Sequence, residues 1–245
     1  MRYGTTGAFG VATPQSNPTV EPEFGVLMPR TARVHTTRLI SDAADPLERL
    51  RIYLRELERT LRSYDGMKFS AFGFACTGSS YLLGHEAEAA IVTKCAETFG
   101  YPVVTAADAI VWMLGKLNAK KVVVLAPYPE ALIEAGKGYF RDRGVDVIRH
   151  ARVVTRTSDT RTIYELGVDQ AREALAALDT SGADAILVSG TGMPSLLLVD
   201  PNAALPVVSS NCCLGARMLD VAGGGALDGL EPRDWRVRLK EALGA

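Results

Sequence analysis

Short apolar runs alternate with segments of helical periodicity along most of the chain. The runs at 7–12, 72–76, 121–126 and 185–189 each pass into residues such as Gly, Pro, Thr or Ser, which is typical of buried strands that end in turns. The segment 45–64 repeats leucine near helical spacing, with Arg and Glu between the leucines. Continuously apolar strands that alternate with helices predict βαβ units and a parallel sheet.

The same pattern predicts the remaining elements of an α/β fold. Asn211 stands directly before one predicted helix and is its predicted cap. We expect further strands at 33–40 (at a sheet edge, with one wet face), 103–104, 146–154 and 206–210, and helices at 84–99, 106–117, 130–143, 160–178, 212–221 and 235–243.

The two parts of the chain repeat each other. Cys-Thr-Gly at 76–78 corresponds to Gly-Thr-Gly at 190–192, Pro-Val-Val-Thr at 102–105 to Pro-Val-Val-Ser at 206–209, and the strand end at 11–14 to that at 124–127. Three matches in the same order indicate an internal duplication. We predict two pseudo-symmetric parallel-sheet α/β halves, 1–110 and 111–221, with an active site between them and a tail at 222–245 that packs back on the first half.

Composition narrows the class of protein. The 245 residues carry a formal net charge of −1, with 47% hydrophobic and 22% charged residues, so no strong field attracts nucleic acid or an anionic membrane. No stretch is apolar enough to span a membrane, and the amino terminus has no apolar signal-peptide core. The four cysteines predict neither a disulfide framework nor a zinc motif. We therefore expect a cytoplasmic protein without a metal site.

Polar residues follow several predicted strands at their carboxyl ends, where parallel sheets bind ligands. In a duplicated protein with facing halves, the segments 13–18, 76–80 and 190–194 converge with Tyr128 on one cleft. Two Thr-Gly turns can form nests of N–H groups that hold an anion. Their hydroxyl groups add neutral donors, which suit a small carboxylate and an enediolate. The alternative is that these turns only connect strand to helix and bind no ligand.

Cys76 stands at a strand-to-helix boundary. There the positive end of the helix is expected to lower the thiol pKa and favour thiolate, and the alternative is a buried core cysteine. Cys95 is expected in the core. Cys212 and Cys213 are expected to pack, unless one faces the cleft. Glu23 is expected at the surface or behind the site.

The motifs resemble the aspartate/glutamate racemase superfamily and, within it, the maleate isomerase and arylmalonate decarboxylase branch. The segment 14–23, Pro-Gln-Ser-Asn-Pro-Thr-Val-Glu-Pro-Glu, is similar to that branch's P-x-S-N-x-T-x-E loop, and the resemblance continues at 75–78, 127–128, 189–192 and 209–211. It implies a cofactor-independent enzyme that acts beside a carboxylate of a small acid or diacid, as a homodimer or higher homo-oligomer.

The resemblance also implies roles for single residues. Cys76 matches the nucleophile of maleate isomerases, and Tyr128 is the second catalytic candidate. The substrate-binding residues that it implies are Pro14, Asn17, Thr77, Gly78, Ser79, Gly190, Thr191, Gly192 and Asn211.

The sequence departs from the family pattern at Gly190, which stands where the second-half cysteine is expected. Arylmalonate decarboxylases have the opposite arrangement, with glycine first and cysteine second, and 158–161 lacks an asparagine associated with maleate isomerases. The leading hypothesis is a maleate-type cis–trans isomerase. The alternatives are an arylmalonate-type decarboxylase with inverted cysteine placement, an Asp/Glu- or hydantoin-type racemase, which needs an acid on each face, and a non-catalytic carboxylate-binding protein.

Overall fold

The computed structural model describes residues 4–200 and 202–223, which form two parallel four-stranded sheets flanked by helices. The part of the chain with the first sheet contains β1 (Gly7–Pro14), α1 (Val20–Leu27), β2 (Ala32–Leu39), α2 (Pro46–Arg55), α3 (Leu57–Arg62), β3 (Ala71–Phe74), α4 (Thr77–Leu83), α5 (His85–Phe99), β4 (Val103–Thr105) and α6 (Ala106–Lys116). The part with the second sheet contains β5 (Lys121–Ala126), α7 (Glu130–Asp142), β6 (Asp146–Arg152), a 3₁₀ helix (Thr160–Glu165), α8 (Val168–Ala176), β7 (Ala185–Val188), β8 (Val207–Ser209) and α9 (Ser210–Val221).

The two sheets share one topology. Their strand orders are β2-β1-β3-β4 and β6-β5-β7-β8, and every pairing between these strands is parallel. The three repeated motifs of the sequence therefore fall at equivalent places, namely the ends of β1 and β5, the ends of β3 and β7, and strands β4 and β8. This confirms the predicted duplicated α/β fold and the edge position of β2.

The strand sequences explain the layered core. Phe9, Val11, Phe72 and Phe74 in the first sheet are completely buried, because helices cover both faces of a parallel sheet and leave no wet side. Helix starts are fixed locally, as in α2, where Asp45 accepts a hydrogen bond from the Glu48 N–H and Pro46 occupies the first turn. Among the described residues, no helix combines the length and apolar character needed to cross a bilayer.

Two predicted helices are interrupted in the structure. The segment 45–64 divides at Glu56 into α2 and α3, which turns Leu57 and Leu61 completely into the core against α5 and β2. The segment 160–178 divides into the 3₁₀ helix and α8, because Leu166 is extended at φ −74° and ψ 135°. Hydrophobic period alone does not report such breaks, since packing decides them.

The structure differs from the sequence predictions at two helices, α9 and α1. Ser209 rather than Asn211 caps α9, because its Oγ accepts a hydrogen bond from the Cys212 N–H at 3.3 Å. Helix α1 was not predicted, because Pro22 and Gly25 are residues that rarely occur inside helices. Pro22 is tolerated because it lies in the first turn, where the N–H that it lacks would have no helical partner. The helix predicted at 235–243 lies outside the described residues.

Helix α9 joins the two sheets. It follows β8 of the second sheet but packs against α6, α1 and β3 on the first. Gly73 permits this contact, because a β-carbon there would lie 2.5 Å from the Met218 sulfur. The predicted boundary at residue 110 lies within α6, and the domain limits stay a prediction, as does the packing of the tail, most of which lies outside the described residues.

Candidate active site

The carboxyl ends of β1, β3, β5 and β7 meet between the two sheets and enclose a cavity of about 30 Å³, called the thiol cavity below. Of the eleven residues proposed from the sequence, seven line it: Pro14, Cys76, Gly78, Tyr128, Gly190, Thr191 and Gly192. The other four, Asn17, Thr77, Ser79 and Asn211, are buried around it. The site residues come from both halves of the chain, as the duplication predicts.

Cys76 lies at the start of α4 with only 4% of its surface exposed. The Ser79 hydroxyl donates a hydrogen bond to its Sγ at 3.2 Å. Burial raises the pKa of the Cys76 thiol, and hydrogen bonds from the Ser79 side chain and from the N–H groups of Ser79 and Gly78 offset this only in part. The predicted lowering of the pKa is therefore wrong, because the loss of water around the buried thiol outweighs the effect of the helix end.

Tyr128 contacts Thr77 across the boundary between the halves. The Thr77 Oγ1 and the Tyr128 phenol oxygen lie 2.5 Å apart. Burial raises the pKa of Tyr128, and the hydrogen bond to Thr77 works against that rise. The phenol therefore stays protonated at neutral pH and serves as a donor to an anion in the cavity.

Asn17 holds an unsatisfied donor beside the cavity. Its Oδ1 accepts a hydrogen bond from the Thr19 N–H at 2.9 Å, which fixes the amide, while its buried Nδ2 has no partner. This nitrogen is 3.6 Å from the position that a β-carbon on Gly192 would occupy. A buried donor without a partner costs free energy, about 1–3 kcal/mol, so a carboxylate at this place would relieve it.

The second Thr-Gly turn is tied to the first half. Thr191 Oγ1 donates to the Ala75 carbonyl, and Thr19 Oγ1 donates to the Gly192 carbonyl, each at 2.8 Å. Gly190 has φ +120°, a conformation that favours glycine. A β-carbon at Gly190 would lie 3.5 Å from the Tyr128 phenol oxygen. The phenol thus borders the space that a side chain at position 190 would enter.

Glu23 supports this turn from behind the cavity, in agreement with one of the two expected positions. Its buried carboxylate accepts hydrogen bonds from the N–H groups of Ser195 and Leu196 at 2.7 and 3.1 Å, and from Asn211 Nδ2 at 2.7 Å. Burial raises the Glu23 pKa, and these hydrogen bonds limit the rise. Asn211 also donates to the Thr191 carbonyl at 3.0 Å. Asn211 therefore orients the turn and does not line the cavity, and a direct contact with substrate stays a prediction.

The remaining cysteines lie outside the cavity wall. Cys95, Cys212 and Cys213 are buried, and the wall of the thiol cavity contains none of them. Burial raises the pKa of Cys212 to about 12, and the nearby Glu23 charge adds to the effect. Cys76 is therefore the one thiol in that wall. In the described ranges, no group of three or more His, Cys, Asp or Glu side chains is arranged to hold a metal ion.

Sequence reasoning missed four residues that line the cavity. Leu50 comes from α2, and Thr160, Ile163 and Tyr164 come from the 3₁₀ helix. These elements follow β2 and β6, the edge strands, whose carboxyl ends point to the same side of the sheets. Applying the strand-end rule to the edge strands as well would have indicated both segments.

The fold and the site together define a duplicated α/β protein with a buried thiol site between its sheets. The family profile described as "Arylmalonate decarboxylase" matches residues 54–225, and the chain belongs to this family. The maleate isomerase of Pseudomonas putida KT2440 is 24% identical over 241 residues, covering 89% of this chain and 95% of that protein.

Solved structures share the fold. The structure of Nocardia farcinica maleate cis–trans isomerase with a covalently bound succinylcysteine intermediate has a TM-score of 0.78 at 24% identity, covering 89% of this chain and 93% of the other. A crystal structure of arylmalonate decarboxylase has a TM-score of 0.67 at 20% identity, with 89% and 93% coverage. The fold is therefore that of both branches.

Proposed function

We propose that this protein is a cofactor-independent, cysteine-dependent isomerase that acts beside a carboxylate of a small diacid, as a maleate cis–trans isomerase does. The observation that carries the proposal is the buried Cys76 thiol in a cavity whose other polar side chains are neutral. The similarity to maleate isomerases along most of the chain supports it. A relative with a covalent succinylcysteine supports a thiol that adds to an alkene.

The proposed reaction begins with addition of the Cys76 thiol to one alkene carbon. The S–C bond forms while the double-bond electrons move to the α-carbon and into its carboxylate, which becomes an enediolate, and the thiol proton passes to a carboxylate oxygen. The former double bond is now single and rotates. Elimination returns the S–C electrons and the proton to sulfur and leaves the trans alkene. Because burial raises the pKa of the Cys76 thiol and the thiolate is the nucleophilic form, the proton has to leave sulfur as the S–C bond forms.

Neutral donors stabilise the enediolate. In this proposal Tyr128 and Thr77 donate hydrogen bonds to its oxygens, and Asn17 Nδ2 holds the carboxylate. The contact between the two hydroxyl groups and the buried Nδ2 without a partner support these roles. Gly190 supplies no acid on the opposite face, which argues against a two-base racemase.

The second candidate is a decarboxylase of arylmalonate type. The family match and the raised pKa of Cys76 favour it, because a protonated thiol is the acid that such a reaction needs. The bond to one carboxylate breaks, carbon dioxide leaves, and the electrons enter the other carboxylate as an enediolate. Cys76 then gives its proton to the α-carbon, and water restores the thiol.

Intact-mass analysis after acid quench separates the two candidates. With maleate, the isomerase yields a Cys76 adduct heavier by one molecule of maleic acid, which Cys76→Ala lacks. With phenylmalonate, the decarboxylase releases carbon dioxide and forms no adduct. Cys95→Ala is the matched control and behaves as the unchanged protein, because Cys95 lies outside the cavity wall. Full activity of Cys76→Ala on both acids would contradict both candidates.

We further propose that the protein works in the cytoplasm as a homodimer or higher homo-oligomer, since closed symmetric assemblies are common for such enzymes. Light scattering after size-exclusion chromatography tests the assembly. A monomer at micromolar concentration would contradict it.

A further inference from the structure

A second cavity of about 340 Å³ lies outside the thiol cavity and is called the outer chamber below. The two share the wall residues Leu50, Thr160 and Tyr164. The thiol cavity, at about 30 Å³, is much the smaller of the two. A diacid that reaches Cys76 past this shared wall therefore extends into the outer chamber.

Two guanidinium groups stand in the wall of the outer chamber. Arg49 is 5% exposed, and its Nη2 lies 2.8 Å from Asp159 Oδ1. Arg161 pairs with the other oxygen of the same carboxylate, with its Nη2 2.6 Å from Asp159 Oδ2. Two cations thus share the carboxylate of Asp159, which does not itself line the chamber. The one acidic residue in the wall, Asp42, is exposed.

The chamber has the chemistry of a carboxylate site. A guanidinium group carries five donors, and Arg49 uses two of its nitrogens, on Asp159 and on the Ala43 carbonyl. The planar fork matches a carboxylate, and burial strengthens the pairing because water screens it less. Tyr53 lies in the same wall, and burial raises its pKa to about 12, so its phenol adds no negative charge at neutral pH.

We propose that the outer chamber binds the second carboxylate of a dianionic substrate through Arg49 and Arg161. The inference rests on the proposed function, which places the first carboxylate and the reacting carbon at Cys76. Neutral donors stabilise the charge that develops in the inner cavity, and positive side chains hold the charge that does not change during the reaction. The subsite therefore favours a dicarboxylate over a monoacid of equal length.

The test compares two unreactive probes, succinate and monomethyl succinate, which differ by one charge at nearly equal size. Each is titrated as a protector of Cys76 against iodoacetamide, with labelling read at the Cys76 peptide by mass spectrometry. In the unchanged protein, succinate protects at about tenfold lower concentration, as expected for a charged hydrogen-bonded pair.

The arginine variants assign this preference to the outer chamber. Arg49→Gln removes the succinate preference, and Arg161→Gln reduces it about threefold, since Arg161 is 61% exposed and its charge is better screened. Arg51→Gln on the same helix is the matched control and keeps the preference, because Arg51 pairs with Glu48 outside the chamber.

Equal protection by both probes in the unchanged protein would overturn the subsite and leave the proposed function standing. An undiminished preference in the arginine variants would also overturn it. If an arginine variant acted only through the lost ion pair with Asp159, protection by the two probes would weaken equally. The ratio of their protecting concentrations therefore reports recognition of charge. If neither probe protects Cys76, the proposed function fails together with the subsite. Arg161→Gln alters an exposed side chain, so it decides the case even if Arg49→Gln does not fold.

Discussion

At the scale of single residues, the chemistry depends on what burial does to the Cys76 thiol. A helix start favours thiolate, but complete desolvation favours the neutral thiol, and desolvation is the larger effect here. The hydrogen bond from Ser79 therefore offsets only part of the rise in the thiol pKa. Addition of the thiol to an alkene must include a destination for its proton, and the substrate carboxylate supplies one.

The pH dependence of alkylation tests this. We expect the rate of iodoacetamide labelling at Cys76 to keep rising above pH 9, because the thiol pKa lies above its usual value of 9.0 and the reactive thiolate appears only as pH exceeds the pKa. Ser79→Ala removes a donor that lowers the pKa, so it slows labelling at pH 8. Ser63→Ala, at an exposed site outside the cavity wall, leaves the rate unchanged. A rate that levels off below pH 8 would show a lowered pKa and contradict the account.

At the scale of elements, the turn after β7 is held by residues of the first half. Glu23 on α1 accepts from the backbone of Ser195 and Leu196 and from Asn211 on α9. One buried carboxylate thus connects three segments around the site. An acidic residue in a helix of unremarkable pattern gives no sequence signal of this role, because its partners are 172 or more residues away.

Removal of this carboxylate is predicted to destabilise the protein. Glu23→Ala leaves several buried donors without an acceptor, which costs about 2–4 kcal/mol in the free energy of unfolding, measured by urea denaturation. Glu21→Ala on the same helix is the matched control. Its half-exposed pair with Arg38 contributes at most about 1 kcal/mol. Equal losses in both variants would show that Glu23 does not organise the turn.

At the scale of the whole molecule, the duplication was readable from the sequence because strand ends repeat their turn residues. Three matched segments predicted the equivalence of β1 with β5, β3 with β7 and β4 with β8, which the topology confirms. The site could be predicted in part, since parallel strands bring their carboxyl ends together. Seven cavity residues followed from that rule. Leu50, Tyr164, Arg49 and Arg161 lie on segments that follow the edge strands β2 and β6. Which of their side chains face the site depends on packing that periodicity does not encode.

The duplication is broken at Gly190, and restoring its symmetry has a cost. Cys76 has φ −153°, whereas Gly190 has φ +120°, so the two positions differ in backbone as well as in side chain. We expect Gly190→Cys to lower the free energy of unfolding by about 1–3 kcal/mol and to yield no racemase activity on aspartate or glutamate.

Gly182→Ala is the control for Gly190→Cys. Gly182 also has positive φ, but nothing lies within 4 Å of an added β-carbon there. Gly182→Ala is therefore expected to lower the free energy of unfolding by less than Gly190→Cys. Urea denaturation and a racemisation assay check both expectations. A stable Gly190→Cys variant with racemase activity would show that the glycine alone decides the reaction.

The most direct test of the central claim is proton NMR of maleate incubated with the unchanged protein and with Cys76→Ala. We expect fumarate to accumulate with the unchanged protein and Cys76→Ala to be slower by at least about 1,000-fold, the scale of losing a covalent nucleophile. Circular dichroism should show the same fold for both. Equal rates for the two proteins, or no fumarate from the unchanged protein, would contradict the account.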